Sequence, residues 1–509
     1  MIAKKYKVLC PTNVELLRVY HKMVKSKKLK ETKILEILLR TRPVRSLSGI
    51  VNVSVLTKDW PCPGKCLYCP KQKGVPKSYL DNEPAVMRAI LNKYDPYKQV
   101  KMRLLALRQA GHPVDKIELR IVGGTWSYYP KRYQIWFVNE CFRACNEFAK
   151  GGTVPSLRGD CPPYGKFLFQ NLKKEQKKNE KTKQRIVGLS IETRPDFINE
   201  KEIKRLRELG VTYVELGVQS IYDDILKLNR RGHNVDATVK ATKLLKNAGF
   251  KVCYQIMLNL PGSTVKRDEE MFKKLFFDDC FKPDYLKIYP CALLKQAPLY
   301  KWWLAKKYKP YNFNQLINLI KIIEKEIPYY VRVQRIARDI PSQSIIAGPT
   351  KVSNLRQLID KECKCIRCRE VKENYNPKEK LSLFRQGYNA SGGKEIFLSF
   401  ENKDRKKLYS LLRLRITSSK EAFIRDLHTY GQMLSVNNLS LNSEKTPQHK
   451  GLGKKLIQEA EKITKEEFGI NKIAIISGVG VRDYYRKLGY RLKDTYMVKN
   501  NLESLELKG

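Results

Sequence analysis

The feature that most constrains the fold of this chain is an alternation of short β-rich runs with helical stretches, which begins near residue 50. Seven runs have the composition of strands; they cover residues 50–56, 116–124, 185–193, 211–220, 251–262, 285–290 and 329–336. Two of the intervening helical stretches end at Gly210 and Gly249, as suits a helix C-terminus. Strand, helix and parallel strand in repeated succession predict an α/β fold with a full or partial (β/α) barrel. In such barrels the active site lies at the carboxyl ends of the strands.

A different pattern begins near residue 383 and predicts a second α/β domain. Runs within residues 392–402, 407–417 and 421–431 read as successive antiparallel strands, and a helix, a strand and another helix follow them. Residues 171–185 are strongly charged and are predicted to form a solvated helix or loop. The predicted organisation is a basic helical N-terminal arm at residues 1–45, a partial barrel at 46–360, a linker at 361–382 and the second domain at 383–509.

Net charge restricts the partners of the chain. It carries 100 Lys and Arg against 51 Asp and Glu, a formal charge of +49, which favours a polyanion such as a nucleic acid held through its phosphates. The N-terminal arm has thirteen basic and three acidic residues. It would either bind the phosphate backbone of such a nucleic acid or form a solvated helical cap. A generally lysine-rich surface is the alternative. The chain has no apolar run of about 18 residues and no signal-peptide core, which predicts a cytoplasmic protein without a membrane span.

The thirteen cysteines favour metal sites and buried thiols over a disulfide framework. Cys62, Cys66 and Cys69 form a C-x3-C-x2-C run directly after the first predicted strand, and therefore at the catalytic rim of the barrel. Three thiolates leave a coordination position open, either on a zinc ion or on one iron of a four-iron cluster. Cys363, Cys365 and Cys368 form a second group, whereas Cys141 and Cys145 are predicted to be packing residues.

The spacing and position of the first cysteine run resemble the radical S-adenosylmethionine (radical SAM) superfamily. The resemblance implies that Cys62, Cys66 and Cys69 hold a [4Fe-4S] cluster and that SAM binds its open iron. Gly123 and Gly124, after the second strand, resemble the glycine-rich element that lets the backbone approach SAM. Glu192, Glu215 and Gln219 also lie near strand ends on the predicted rim, as loop, capping or functional residues.

The second domain contains a glycine motif, QHKGLG at residues 448–453, which matches the Q/R-x-x-G-x-G/A pattern of the Gcn5-related acetyltransferases. Glycines there let backbone N–H groups and a helix N-terminus face a pyrophosphate, which in that family belongs to coenzyme A. Tyr484 and Tyr485 lie in a following helical stretch, where a tyrosine of this fold commonly approaches the thioester sulfur; either could instead be a core residue.

The order of the motifs along the chain resembles the tRNA uridine(34) acetyltransferase family, which includes the catalytic subunit of Elongator. Matching stretches include PCPGKCLYCP, IETRPD, ELGVQSIYDDIL, CIRCRE and ISGVGVRDYYRKLGY. The resemblance implies acetyl-CoA contacts by Lys116, Asp426, Leu427, His428, Thr429, Gln448, Gly451, Leu452, Gly453, Lys454 and Tyr485. It implies that Lys287, Tyr484 and Tyr485 lie near the chemistry. It also implies a structural Zn2+ on Cys363, Cys365 and Cys368, whose fourth ligand is unassigned. Asp426 departs from the glutamate that the family usually has.

The activity implied by this resemblance is the formation of 5-carboxymethyluridine at the wobble position of tRNA, bound through its anticodon stem-loop. A SAM-derived 5′-deoxyadenosyl radical would activate the methyl group of acetyl-CoA for addition to C5 of the uridine. The partners could include a second copy of the chain or Elongator-like proteins. A protein lysine acetyltransferase with a structural iron-sulfur cluster is the main rival, and an RNA-binding scaffold with degenerate sites is the other.

Overall fold

A computed structural model describes residues 9–148, 165–351, 355–359, 362–372, 375–431, 451–500 and 502. Its first half is an open parallel sheet of seven strands in sequence order, which confirms the predicted partial barrel. The strands are β1 (Val51–Leu56), β2 (Lys116–Val122), β3 (Arg185–Thr193), β4 (Tyr213–Gln219), β5 (Lys251–Leu258), β6 (Tyr285–Pro290) and β7 (Arg332–Ile336). All seven lie within or on the predicted runs, because buried parallel strands are nearly continuous stretches of apolar and β-branched residues.

Helices precede, connect and follow these strands. In chain order they are α1 (Asn13–Lys25), α2 (Lys33–Leu39), α3 (Pro84–Leu91), α4 (Pro96–Gln109), α5 (Lys131–Asn146), α6 (Gly165–Asn179), α7 (Glu200–Glu208), α8 (Asp223–Leu228), α9 (Val235–Asn247), α10 (Val265–Phe277), α11 (Leu299–Leu304), α12 (Phe313–Glu326) and α13 (Ile366–Arg369). Several begin at an Asn or Thr whose side chain accepts a backbone N–H of the first turn, as Asn199, Asn234 and Thr264 do. No helix among the described residues is both long and apolar enough to cross a bilayer.

The N-terminal arm is helical, as predicted, and forms two helices that pack on the barrel. A capping box between Thr12 and Glu15 starts α1, and Leu17 and Tyr20 are buried. His21 Nε2 lies 2.8 Å from Glu36 Oε1 and joins α1 to α2, while Arg40 Nε donates to the Gly111 carbonyl at 2.8 Å. The arm is therefore attached to the body of the molecule by specific contacts.

The elements of the second domain are β8 (Ser382–Ala390), β9 (Gly393–Glu401), β10 (Leu408–Thr417), β11 (Ala422–Thr429), α14 (Leu452–Glu466), β12 (Lys472–Ile475), α15 (Arg482–Arg486), β13 (Arg491–Lys493) and β14 (Tyr496–Asn500). Its strands form a mixed sheet in the order β13-β14-β12-β11-β10-β9-β8. Only β11 and β12 are parallel, and they pair over three residues, 422–424 with 473–475. Beyond that point residues 426–428 of β11 pair with β10 and with no other strand among the described residues.

Residues 171–185 were predicted to be a solvated helix or loop; residues 171–179 are helical, but the prediction that the segment is solvated is wrong. Residues 171–179 belong to α6, in which Leu172 and Asn179 are fully buried. The Asn179 amide donates to Asn146 Oδ1 at 2.8 Å on α5. Glu180 accepts hydrogen bonds from Arg482 at 3.0 Å and from Arg486 at 2.7 Å, so this charged segment joins the barrel to the second domain.

A buried ionic network provides a second connection between the two sheets. Arg425 donates to Asp284, which precedes β6, at 2.5 Å and to Glu395 of β9 at 2.8 Å. Arg415 donates to the same Glu395 at 2.9 Å, and Lys246 of α9 lies 3.8 Å from it. All five side chains are at most 1% exposed. The docking of the two domains therefore depends on charges that have no access to water.

Candidate functional site

Two cavities lie at opposite ends of the barrel strands. The upper cavity, of about 770 Å3, is lined by residues near the carboxyl ends of strands, among them Val122, Glu192, Gln219, Met257 and Tyr289. The lower cavity, of about 450 Å3, is lined by residues near the amino ends, among them Lys116, Gly188, Thr212 and Lys251, and by the second domain. The predicted site residues divide between these two places.

The first cysteine run lies in the loop after β1, beside the upper cavity, as predicted. The Cys66 and Cys62 sulfurs lie 3.4 and 3.7 Å from the position that a Cβ would take on Gly64, so both face the same point. Thr125 Oγ1, next to the Gly123-Gly124 turn, lies 3.8 Å from Cys62 Sγ. Tyr68, between the second and third cysteines, lines the upper cavity.

Two arginines lie beside this loop, and their positions suit the binding of an iron-sulfur cluster. Arg231 Nη1 donates to Cys66 Sγ at 3.6 Å. Arg194 is 4% exposed, and its Nη1 has no hydrogen-bond partner among the described residues. That nitrogen lies 2.7 Å from a Cβ built on Gly64, so it points at the cysteine loop. Three thiols beside buried guanidinium groups form a suitable donor set for an anionic cluster, and the residues present fit it.

The same arginines change the acidity of the thiols. Burial raises the pKa of the Cys66 thiol, but the charges of Arg231 and Arg194 outweigh burial and leave this pKa below its usual value. Burial, reinforced by the nearby Cys66, raises the pKa of Cys69 to about 12. Cys66 is therefore the more readily ionised of these two thiols.

Gly123 and Gly124 adopt positive φ angles of 135° and 99° after β2. A Cβ on Gly123 would lie 1.9 Å from Thr57 Oγ1, whereas one on Gly124 would first meet the Lys77 carbonyl at 3.5 Å. The close packing of the β1 and β2 ends thus already requires glycine at position 123. Contact of this turn with SAM stays a prediction.

Lys287 lies inside the barrel between two carboxylates. Its ammonium forms ion pairs with Glu215 and, at 3.5 Å, with Glu192, and it lines the upper cavity. Burial lowers the pKa of Lys287, but Glu215 and Glu192 outweigh burial and raise it above its usual value. Tyr79 donates to Glu192 at 2.9 Å and completes the group. Lys287 therefore remains charged at neutral pH, which suits an electrostatic role and not that of a base.

The lower cavity brings together nearly all the residues for which acetyl-CoA contacts are predicted. From the barrel comes Lys116; from the second domain come Asp426, Leu427, His428, Thr429, Gly451, Leu452, Gly453, Lys454, Tyr484 and Tyr485. Gly451, with a φ of 76°, is the N-cap of α14, so the N-terminus of this helix lies at the cavity. Gln448 lies outside the described residues.

Two of these side chains also connect the domains. The Asp426 carboxylate accepts a hydrogen bond from the Tyr285 hydroxyl at 2.9 Å and lies 3.5 Å from Lys251 Nζ. His428 Nε2 donates to the Ser48 carbonyl at 2.8 Å. Their polar groups are therefore engaged with the barrel, and their part in ligand binding stays a prediction.

The two adjacent tyrosines of α15 have different surroundings. Tyr485 is 6% exposed and packs in the core of the second domain, where burial raises the pKa of its hydroxyl well above the usual value. Tyr484 is 41% exposed, and its hydroxyl lies 3.2 Å from the position that a Cβ would take on Gly453. Tyr484 is therefore the tyrosine whose hydroxyl reaches the glycine loop.

The second cysteine group forms a compact donor set. The sulfurs of Cys363, Cys365 and Cys368 all lie within 4.8 Å of one another. Arg356 donates to Cys365 and Cys368 at 3.5 and 3.3 Å. Glu324 of α12 is 4% exposed and lies beside Cys363, and its Oε1, which accepts no hydrogen bond among the described residues, lies 3.9 Å from Arg356 Nη2. Three thiols and an adjacent buried carboxylate fit a zinc ion.

Sequence reasoning missed several of these residues. Arg194, Arg231 and Glu324 lie far along the chain from the cysteines they approach. Arg194 directly follows β3, as a polar residue at the catalytic rim should, and this position could have identified it from the sequence; Arg231 comes only after the short helix α8. Glu324 lies on the helical face that carries Ile320 and Ile323, and its place in the pattern gave no such signal.

Comparisons with known proteins agree with this arrangement. The model of the Radical SAM superfamily matches residues 62–275, and that of the Radical SAM C-terminal domain matches residues 283–364. The first of these implies SAM and a [4Fe-4S] cluster. The tRNA uridine(34) acetyltransferase of Methanocaldococcus jannaschii is 44% identical over 92% of this chain and 88% of its own length. Elongator complex protein 3 of Bos taurus is 37% identical over 92% and 87%.

A solved structure is similar over most of the molecule. The archaeal Methanocaldococcus infernus Elp3 with an N-terminal deletion superposes with a TM-score of 0.74 at 39% identity, covering 89% of this chain and 100% of that one. The similarity extends through both sheets, since either sheet alone is much shorter than the matched length.

Proposed function

The chain belongs to the family of tRNA uridine(34) acetyltransferases and Elongator complex protein 3 and is an acyltransferase, and on this premise we propose that it modifies the wobble uridine of tRNA. The proposed reaction replaces one hydrogen on the methyl carbon of acetyl-CoA and one hydrogen on C5 of that uridine with a bond between the two carbons. Conversion of SAM to methionine and 5′-deoxyadenosine takes up the two electrons released, and hydrolysis of the thioester leaves 5-carboxymethyluridine and free coenzyme A. The observation that carries the proposal is that one set of strands has the cysteine loop at its upper end and the glycine loop of α14 at its lower end. Residues 1–45 would be the tRNA-binding arm, 46–360 the radical SAM barrel, 361–382 a zinc-binding linker and 383–509 the acetyltransferase domain.

Cys62, Cys66 and Cys69 would hold the cluster in the upper cavity. When bound, a cluster with an open iron supplies the electron that cleaves SAM to a 5′-deoxyadenosyl radical, which can remove hydrogen from an unreactive methyl group. Arg194 and Arg231 stabilise the anionic charge of the thiolates. The Gly123-Gly124 turn contributes backbone beside Cys62, and Lys287 places a fixed positive charge inside the barrel.

The lower cavity has the groups that coenzyme A requires. The N-terminus of α14 at Gly451 presents backbone N–H groups to a pyrophosphate. The edge of β11 at residues 426–428 that faces away from β10 can pair with the amide groups of the pantetheine arm. Tyr484 lies at the same loop, where its hydroxyl can contact the sulfur. A role for Gln448 in this site rests on the sequence motif.

Four arginines from the N-terminal part of the chain belong to the proposed tRNA site at the upper cavity. Arg42, Arg45, Arg88 and Arg103 all line this cavity. Burial, with the charges of Arg88 and Arg45, lowers the pKa of Arg103 to about 10, which shows that the like charges lie close together. Such a cluster favours phosphates, and the wobble base of an anticodon loop is easily unstacked toward it.

The proposal is tested by anaerobic incubation of the reconstituted protein with tRNA, SAM, acetyl-CoA and a reductant. We expect 5′-deoxyadenosine and 5-carboxymethyluridine to form together, and both to require SAM. A lysine-containing peptide serves as the control for the rival activity. Acetylated peptide without modified tRNA, from protein that carries its cluster, would support a protein lysine acetyltransferase instead.

From the pKa of Lys116 we expect coenzyme binding to depend on pH. Burial, with the neighbouring charge of Arg185, lowers the pKa of Lys116 to about 8. The ammonium form exists below this pH, so its attraction for the anionic coenzyme is lost as the pH rises through 8. We expect the Kd for coenzyme A to be flat below pH 8 and to rise by up to about tenfold per unit above it. Lys116→Met should weaken binding below pH 8 and remove this slope, whereas the exposed Lys240→Met should keep it.

Glu324 is the proposed fourth ligand of the zinc ion. Glu324→Gln keeps the shape of the side chain and removes its charge, so zinc affinity measured by chelator competition should fall by at least about tenfold. The spectrum of the cobalt-substituted protein should change as well, because the anionic carboxylate ligand is replaced by a neutral amide. Glu362, which is exposed and forms an ion pair with Lys325 at 3.0 Å, gives the matched control Glu362→Gln. Equal affinities in the two variants would exclude Glu324 from the site.

A further inference from the structure

One ion pair lies between the two cavities. Glu118 lines the lower cavity and Arg120 lines the upper one. Arg120 donates through Nη2 and Nε to Glu118 Oε1, at 2.6 and 2.9 Å. The two residues are two positions apart on β2 and therefore point to the same face, the inside of the barrel. The cavities are thus separated on this strand by the two partners of a single ion pair.

On the neighbouring strands, too, only a thin layer of side chains separates the upper cavity from the lower one. On β3, Gly188 lines the lower cavity and Glu192 the upper one, which leaves Ser190 between them. On β5, Lys251 lines the lower cavity and Gln255 the upper one, which leaves Cys253 between them. Successive inward positions of a strand are about 6.6 Å apart, so the barrier is one layer of side chains thick. On β4 and β6 this layer is completed by Tyr213 and Tyr285, whose ring centroids are 5.0 Å apart.

The layer is thinnest beside Glu118. Gly188 is the partner of Glu118 in the β2–β3 register, and it has no side chain to fill the lumen. A Cβ on Gly188 would lie 3.6 Å from Glu118 Cγ and 3.8 Å from Thr212 Oγ1, so side chains and not backbone close the space. Glu118 and Arg120 are 22% and 21% exposed, respectively, although they lie inside the barrel, and the cavities that they line account for this exposure.

We infer that the barrel axis is the route by which the acyl end of the coenzyme passes from the lower to the upper cavity, and that the Glu118–Arg120 pair closes this route until the acyl arm enters. The inference rests on the proposed function, in which a carbon of the acyl group must meet a base and a radical on the other side of the layer. The pair can open by rotation of its side chains, without movement of the strands. A balanced pair also leaves no net charge in the path of a neutral thioester.

Substitution of Gly188 tests this route, because a larger side chain at this position would fill the lumen next to Glu118. Its φ lies outside the left-handed region, so Gly188→Ala and Gly188→Val do not strain the backbone. We expect kcat for tRNA modification to fall with side-chain size, by at least tenfold for valine, at an unchanged KM for acetyl-CoA. Slow formation of 5′-deoxyadenosine in the absence of acetyl-CoA, and the Kd for desulfo-coenzyme A, should stay within twofold of the wild-type values. Gly387→Val, on β8 where a new Cβ meets nothing within 4 Å, is the matched control.

Other results would overturn the inference. An unchanged kcat in Gly188→Val, or a loss expressed only as a raised KM, would mean that the acyl group does not pass this point. If Gly188→Val does not fold, the alanine variant and a crystal structure with acetyl-CoA decide: a thioester seated away from Glu118 contradicts the route. A wild-type protein that modifies no tRNA would instead refute the proposed function, which separates the two failures.

Discussion

Replacing Glu395 with glutamine is expected to lower the free energy of unfolding by about 3–5 kcal/mol, the cost typical of breaking a buried ion pair. Glu395 is 1% exposed and neutralises Arg415 and Arg425, with Lys246 at 3.8 Å. Its loss leaves Asp284, which also lies 3.5 Å from the buried Arg413, to balance these cations. Burial raises the pKa of the Glu395 carboxyl, but Arg425 and Lys246 outweigh burial and hold it below the usual value. The stabilisation is therefore present above the unfolded pKa and is lost as the pH falls through the folded one.

The measurement is denaturant or thermal unfolding at neutral pH, with Glu467→Gln as the control. Glu467 also pairs with an arginine, Arg385, at 2.5 Å, but both side chains are 40% exposed. Exposed pairs of this kind contribute at most about 1 kcal/mol. Similar losses in the two variants would show that the interdomain network does not hold the domains together.

Replacing Cys66 with serine is expected to abolish cluster assembly and SAM cleavage together. Cys66 is the most buried of the three thiols and receives the hydrogen bond from Arg231. Serine keeps the shape, but its hydroxyl does not ionise near neutral pH and is a poor ligand for iron. Reconstituted wild-type protein should bind about four irons per chain. The variant should lose this iron and its visible absorption, and 5′-deoxyadenosine should fall to background.

The control for this variant is Cys280→Ser, which changes an exposed thiol remote from the loop. It should keep the iron content and the activity of the wild type. A Cys66→Ser protein that retains its iron and still cleaves SAM would place the cluster on other residues. Coenzyme A binding should be unaffected in both variants, because the lower cavity lies at the other end of the strands.

The errors of the sequence-based predictions have particular physical causes. Residues 171–179 were expected in solvent because lysine dominates them, yet α6 buries Leu172, Gln176 and Asn179 at the spacing of one helical face. Strand β8 was not predicted because it is an edge strand, with residues mostly half-buried or exposed, and lacks a continuous apolar run. In both cases the contact with a neighbouring element, and not the local composition, decides the structure.

The sequence by itself determined the succession of parallel strands, the position of Cys62, Cys66 and Cys69 after the first strand, and the glycine loop before α14. These features are local, since they depend on periodicity, on spacing and on the conformations that glycine allows. Only the tertiary structure decided that Lys116 and Tyr484 line one cavity, that Arg194 faces the cysteine loop, and that Glu118 and Arg120 separate two cavities. Such contacts depend on the curvature of the sheet and on the docking of the domains, which arise from packing between residues hundreds of positions apart.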